Sequence, residues 1–169
     1  MIKILDISSG ETEVHFSING LGNGLSDYLG KDYCWCLVNF KVTNRFFSLE
    51  RINDELLTFG EVLELREGLV DLLDDKINDI CTISFIEPDL EFILHPKLDL
   101  RTVKRIIYIE EGLEIRDIST DIIINLADSD GYNGQSYRYP LNRNEIVALK
   151  KYLDDVIPDL EVLWDKANN

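Results

Sequence analysis

Residues 81–94, CTISFIEPDLEFIL, decide how the chain folds on either side of them. Apolar side chains such as Ile83 and Phe85 alternate with polar ones, which is the period of a β-strand. Pro88 has no N–H to give to a strand ladder, and Pro-Asp pairs are typical of turns. The alternation resumes after Asp89. We therefore predict two short strands bent around residues 87–89, with core side chains at Ile83, Phe85, Leu90 and Phe92.

The composition indicates an ordinary globular protein of one domain, residues 1–169. Apolar residues make up 45% of the chain and charged residues 29%, which excludes an intrinsically disordered chain. The N-terminal residues MIKILDISSGE are too polar for a secretory signal, and no apolar run reaches membrane-spanning length. We therefore expect a cytoplasmic protein.

The three cysteines do not suggest a disulfide framework. Cys34 and Cys36 lie on one face of a predicted strand, and Cys81 leaves the number odd. No further cysteine or histidine pair is present to complete a tetrahedral metal site. We predict that Cys34 and Cys36 are buried thiols and that no metal is bound.

The net charge of −15, from 32 acidic and 17 basic residues, is unevenly placed. Residues 50–91 contain 13 acidic residues and three basic ones, a net charge of −10. A charge of this sign repels nucleic acid and anionic membranes and favours a basic protein partner.

The most distinct helix pattern covers residues 58–77. Thr58 and Glu61 have the spacing of a capping box, and Val62, Leu65, Leu69, Leu72 and Leu73 form an apolar stripe. We place six acidic residues on the opposite arc, and two more at the bend after the helix extend it. The predicted partner-binding residues are Glu61, Glu64, Glu67, Asp71, Asp74, Asp75, Glu87 and Asp89.

The remaining segments predict an α+β fold: a mostly antiparallel, twisted β-sheet with two main helices packed against it. A long strand at 33–43 pairs with 46–57. Hairpins are expected at 2–7 with 13–18, 102–109 with 113–118, and 121–126 with 135–139. A capping sequence at 142–145 begins the second helix, and we expect Pro158 to end it.

Motifs that carry chemistry are weak in this chain. Residues 128–133, from Asp128 to Asn133, imitate the start of a calcium loop but lack its closing glutamate. His15 and His95 have no recognisable nucleophile motif. Glu87 and Asp89 could serve as paired carboxylates in hydrolysis, which would need a deep pocket beside them. We expect no catalytic residue, no cofactor and no enzymatic activity.

The strand with Trp35, the acidic helix and the stretch ISFIEPDLEF at 83–92 together resemble the WapI-type immunity proteins, with support from 141–153. The carried pattern is Ile83, Phe85, Glu87, Pro88, Leu90 and Phe92. The resemblance implies a non-enzymatic cytoplasmic antitoxin that binds the C-terminal nuclease domain of a WapA-type secreted toxin. It brings no catalytic residues with it, and the segment up to Gly30 is less typical of the family.

Charge supports the same interpretation, since nucleases that bind phosphates are usually basic. The alternative is a structural or regulatory module of unknown role that assembles with itself through a sheet edge or Trp35. The oligomeric state stays open between the two.

Overall fold

The first sheet is a four-stranded antiparallel meander at the N-terminal side of the chain. The computed structural model describes residues 5–9, 11–22, 30–128 and 131–168. Within them, β1 (Leu5–Ser9), β2 (Thr12–Leu21), β3 (Trp35–Thr43) and β4 (Ser48–Thr58) pair in chain order. The predicted first hairpin and the pairing of the next two strands are confirmed. On β3, Cys36, Val38, Phe40 and Val42 are buried, as the alternation requires.

The second sheet has the strand order β10-β9-β6-β5. Its members are β5 (Cys81–Ser84), β6 (Leu90–His95), β9 (Ser119–Asp128) and β10 (Gly131–Leu141). The first two pair in antiparallel register, with Ile83 opposite Phe92. The predicted bend around residues 87–89 is therefore a hairpin loop, and its four core side chains are buried.

Two helices complete the core. α1 (Phe59–Leu73) follows β4 without a loop, and α2 (Arg143–Asn168) follows β10 after one residue. The helices pack against each other, and α2 also contacts the first sheet, where the Tyr152 hydroxyl oxygen accepts the Ile18 N–H at 2.6 Å. The α+β class is confirmed, with the strands divided between two main sheets.

Gly68 allows α1 to lie close to the second sheet. A Cβ at this position would stand 2.6 Å from Ile83 Cδ1 and 3.2 Å from Leu94 Cδ1. Both side chains belong to the β5–β6 hairpin, so residues 81–94 form the surface on which α1 rests.

Three sequence predictions about element bounds are wrong. α1 ends at Leu73, four residues before the predicted end. Pro158 lies inside α2, because Leu160 beyond it is fully buried and packing holds the helix together past the missing N–H. The hairpin 102–109 with 113–118 does not form. Instead, β7 (Leu98–Asp99) pairs with β8 (Ile115–Arg116), and the segment between them is irregular apart from a 3-10 turn, Leu100–Thr102.

Candidate partner-binding surface

Glu61 is a structural residue at the start of α1. Its side chain is 8% exposed. One carboxylate oxygen accepts the Thr58 N–H at 2.7 Å and the other accepts the Ile86 N–H at 2.5 Å. The placement of Glu61 on the exposed acidic arc is therefore wrong. The reason is the capping box, because it directs the Glu61 carboxylate back to Thr58, the residue that caps the helix.

The other acids of α1 fall into two groups. Asp71 and Asp74 each lie 3.0 Å from Lys76, and these hydrogen bonds, first that of Asp74, raise the pKa of the lysine. Glu64 and Glu67 are exposed and make no ion pair with the described residues. The uncompensated charge of the helix is thus concentrated in its middle, at Glu64 and Glu67.

Asp75 lies just after the helix, 3.9 Å from Lys97. It has a positive φ of 55°, a conformation that Asp tolerates better than most residues. The acids at this end are consequently partly neutralised, since two lysines offset the unfavourable interaction of acidic side chains with the negative end of the helix dipole.

An acidic cavity of about 520 Å³ lies beside the bend, between β3, β4 and the loop 85–89. Glu87 and Asp89 line it, as do the apolar side chains of Trp35 and Leu56. The remaining lining residues are Arg51, Asp54 and Glu55. Four carboxylates thus face one guanidinium, which leaves a charge of −3.

Arg51 compensates part of this charge. Its guanidinium is 3.4 Å from Asp89 and 3.8 Å from Asp54. Of Asp54 and Asp89, Asp89 is the less accessible, with its side chain 17% exposed. Glu55 and Glu87 make no ion pair with any described residue, so they are the free carboxylates of the acidic cavity.

The pairing of β4 with β3 is irregular around Asp54 and Glu55, two of the residues that line the cavity. The register with β3 shifts on both sides of them, between the partners of Val38 and Phe40 and between those of Cys36 and Leu37. Asn53 has a φ of 49° at the first shift, and its N–H donates to Asn39 Oδ1 at 2.7 Å. β-Bulges of this kind commonly re-aim side chains.

The loop 85–89 is fixed at several points. Phe85 is buried edge-on against Phe92, with ring centroids 5.9 Å apart. Asn125 donates its side-chain N–H to Pro88 O and its backbone N–H to Asp89 O. Together with the bond from Ile86 to Glu61, these contacts give the acidic cavity a preformed wall.

Glu87 and Asp89 therefore share the acidic cavity with Asp54 and Glu55 of β4. The sequence indicated the acidic character of this surface, because Asp54 and Glu55 are in the acidic segment 50–91. It gave no sign of the bulges beside them in β4. The same cavity keeps the hydrolytic alternative open, although Arg51 holds Asp89 and prevents a free pair with Glu87.

His95, Asp121 and Arg138 form a second polar cluster, on β6, β9 and β10. His95 Nε2 is 2.5 Å from Asp121 Oδ2, and Arg138 also pairs with this carboxylate. Burial alone would raise the pKa of Asp121, but hydrogen bonds from Arg138 and His95 lower it below its usual value. The cluster satisfies a carboxylate that is only 5% exposed.

The described ranges contain neither a metal-binding cluster nor a membrane-spanning helix. No group of three or more His, Cys, Asp or Glu side chains there is arranged to hold a metal ion. The calcium-loop prediction falls on the side chains of 128–133, which lie outside the described part. Within that part, no helix has the length and apolar character needed to cross a bilayer.

Comparison with known proteins gives a family and two distant structural likenesses. No curated protein matches the chain. The plant transcriptional regulator PBF-2 has a TM-score of 0.48 at 11% identity over 99% of this chain and 86% of that one. WHY1 from Arabidopsis thaliana has a TM-score of 0.42 at 12% identity over 95% and 91%. These values carry no argument about function. A sequence model described as "Immunity protein WapI-like family" matches residues 3–160, and the chain therefore belongs to the WapI-like immunity protein family.

Proposed function

We propose that this protein is a non-enzymatic cytoplasmic immunity protein that binds and neutralises the C-terminal nuclease domain of a cognate secreted toxin. Membership of the family implies a toxin as the partner. The observation that carries the finer proposal is the acidic cavity, with its charge of −3 and two carboxylates that lack a cation. A basic surface of the toxin would supply the missing cations.

The acidic cavity suits a protruding lysine or arginine side chain. Glu55 and Glu87 would each accept its N–H groups, and the face of Trp35 offers a cation–π contact. Glu64 and Glu67, the unpaired acids of α1, would add to the long-range attraction. Asp71, Asp74, Asp75 and Asp89 contribute less to the proposed surface because they already face lysine or arginine.

A growth assay tests the general proposal. It requires a large secreted toxin encoded beside the gene for this chain. The C-terminal domain of that toxin, expressed alone in bacterial cells, should arrest growth, and co-expression of this chain should restore it. Continued growth arrest despite soluble expression of both proteins would refute the proposal.

Association kinetics test the surface. The double variant Glu55→Gln with Glu87→Gln should slow association with the toxin domain by about threefold or more at low salt, because it removes two attracting charges. The matched control is Glu11→Gln with Glu13→Gln, which removes two exposed charges outside the cavity. Equal effects of the two double variants would show that net charge acts without the cavity.

Dissociation tests the aromatic wall. Trp35→Ala should weaken the complex by about 2 kcal/mol, the usual threshold for a central aromatic contact, mainly by faster dissociation. Trp35→Phe keeps an aromatic face and should retain most of the affinity. Should Glu64→Lys with Glu67→Lys reduce the association rate while all cavity variants do not, the toxin contacts the helix face instead.

A further inference from the structure

The segment between β7 and β8 exposes apolar side chains. Ile107 is fully exposed, Tyr108 is 82% exposed, and Leu113 is also exposed, as is Ile115 at the start of β8. Such side chains in sequence are unusual on a monomer surface, where large contiguous apolar patches mark interaction sites.

Few backbone N–H and C=O groups of the same segment form hydrogen bonds with the described residues. One turn hydrogen bond, from the Ile106 N–H to Val103 O at 3.0 Å, lies before it, and another, from the Leu113 N–H to Glu110 O at 3.0 Å, follows it. Between these turns, Ile107, Tyr108 and Ile109 make no backbone hydrogen bond with the described residues. They are β-branched or aromatic residues that favour strands, and they have free N–H and C=O groups.

Residues 104–111 have the sequence KRIIYIEE: two basic residues, four apolar residues and two acidic residues. When two copies of such a sequence run antiparallel, the basic end of each meets the acidic end of the other. The pattern is therefore complementary to itself. It is not complementary to the basic partner proposed above, because residues 100–109 contain three cations and no acid.

We propose that residues 104–111 pair with the same residues of a second copy as antiparallel β-strands and form a homodimer. A two-fold axis perpendicular to the shared sheet requires one residue to lie opposite itself. If this residue is Ile107, Lys104 lies opposite Glu110 of the second copy and Ile106 lies opposite Tyr108. Arg105 and Glu111 become diagonal neighbours, still within reach of long side chains.

The balance of interactions favours a second copy as the occupant. The rest of the chain is strongly acidic, so two copies repel each other except where a segment provides both signs of charge. Residues 104–111 do so within eight positions. The dimer opens the exposed turn between Val103 and Ile106, and in exchange the free backbone groups of both copies gain an inter-chain ladder. This inference does not depend on a toxin partner.

Sedimentation equilibrium of the chain alone tests the inference. The unchanged chain should show a concentration-dependent monomer–dimer equilibrium. Lys104→Glu and Glu110→Lys should each raise the dimer dissociation constant by at least about tenfold, because each places like charges opposite each other twice per dimer. The control Lys151→Glu makes the same charge change at an exposed position of α2 and should leave the constant unchanged.

Charge reversal at both positions provides the decisive comparison. An equimolar mixture of the two single variants, or the chain with both substitutions, should recover the dimer because opposite charges again face each other. A chain that stays monomeric at all concentrations overturns the proposal. So does a dimer that neither single substitution weakens, or one that the combined substitutions fail to restore.

Discussion

Glu61→Ala should destabilise the protein by about 3 kcal/mol. The change removes the acceptor of two backbone N–H groups, those of Thr58 at 2.7 Å and Ile86 at 2.5 Å. A buried donor left without a partner costs about 1–3 kcal/mol. The Thr58 bond is buried and should approach the upper value, whereas the Ile86 bond is partly buried and water can replace part of it.

Thermal unfolding followed by circular dichroism measures this loss. For a domain of this size each kcal/mol lowers Tm by about 2–4 °C, so a decrease of about 6–12 °C is expected. The Tm of Glu61→Gln should fall between that of the unchanged protein and that of Glu61→Ala. Its amide oxygen can accept one of the two N–H groups, but its NH₂ group faces the other.

Glu64→Ala is the matched control, one turn along the exposed face of α1, and should change the free energy of unfolding by less than about 0.5 kcal/mol. If Glu61→Ala is no more destabilising than this control, the carboxylate does not hold the helix start and the loop together. The reasoning would then be refuted.

Three further predictions concern the core and the pH dependence of stability. Tyr152→Phe should cost about 1–3 kcal/mol in urea unfolding, since it leaves the buried Ile18 N–H unpaired, whereas Tyr139→Phe should be neutral or slightly stabilising because the Tyr139 hydroxyl has no partner among the described residues. Gly68→Ala should destabilise by about 1 kcal/mol, because overpacking against the hairpin costs about 1–3 kcal/mol and exceeds the gain of up to about 1 kcal/mol in helix propensity. Arg143 donates two hydrogen bonds to Asp117 and lowers the pKa of this carboxyl to about 2. The stabilisation that Asp117 gives to the folded state is therefore present above the unfolded pKa of about 3.9 and is lost as the pH falls towards 2. Asp117→Asn should therefore reduce the loss of Tm between pH 5 and pH 2, and an unchanged slope would contradict this assignment.

The sequence predicted the elements whose pattern and packing agree. The alternation on β3 identified its buried face, and the capping boxes located the starts of both helices. The second box is confirmed by Asn142 Oδ1, which accepts the Glu145 N–H at 3.2 Å, and by Glu145, which accepts the Asn142 N–H at 2.7 Å. In these segments the local signal and the tertiary contacts favour the same structure.

The failures occurred where tertiary contacts outweighed the local signal or were missing. Pro158 should end a helix, but the burial of Leu160 keeps α2 continuous. Residues 103–109 have strong strand propensity, yet no strand of the described fold lies beside them, so the predicted hairpin does not form. In the proposed dimer a second copy would supply a partner strand for residues 104–111, which is not the predicted hairpin with 113–118.

The candidate site was predicted in composition but not in geometry. Glu87 was identified from its place at the bend, and the excess of acid in 50–91 was evident. The bulges on both sides of Asp54 and Glu55 have no signal in the alternation of β4. Register shifts depend on which residues of β3 and β4 face each other, and a single strand sequence does not determine that.

In the proposed function, support and recognition are carried by different residues around the acidic cavity. The loop 85–89 is held by Glu61, Phe85 and Asn125, whose contacts are directed into the protein. Glu55 and Glu87 make no ion pair with the described residues, so folding does not depend on their charge. Substitutions at Glu55 and Glu87 should therefore change which partner binds without loss of stability. Substitution of Glu61 should reduce both stability and partner binding. A set of immunity proteins with the same fold and different toxins requires this separation.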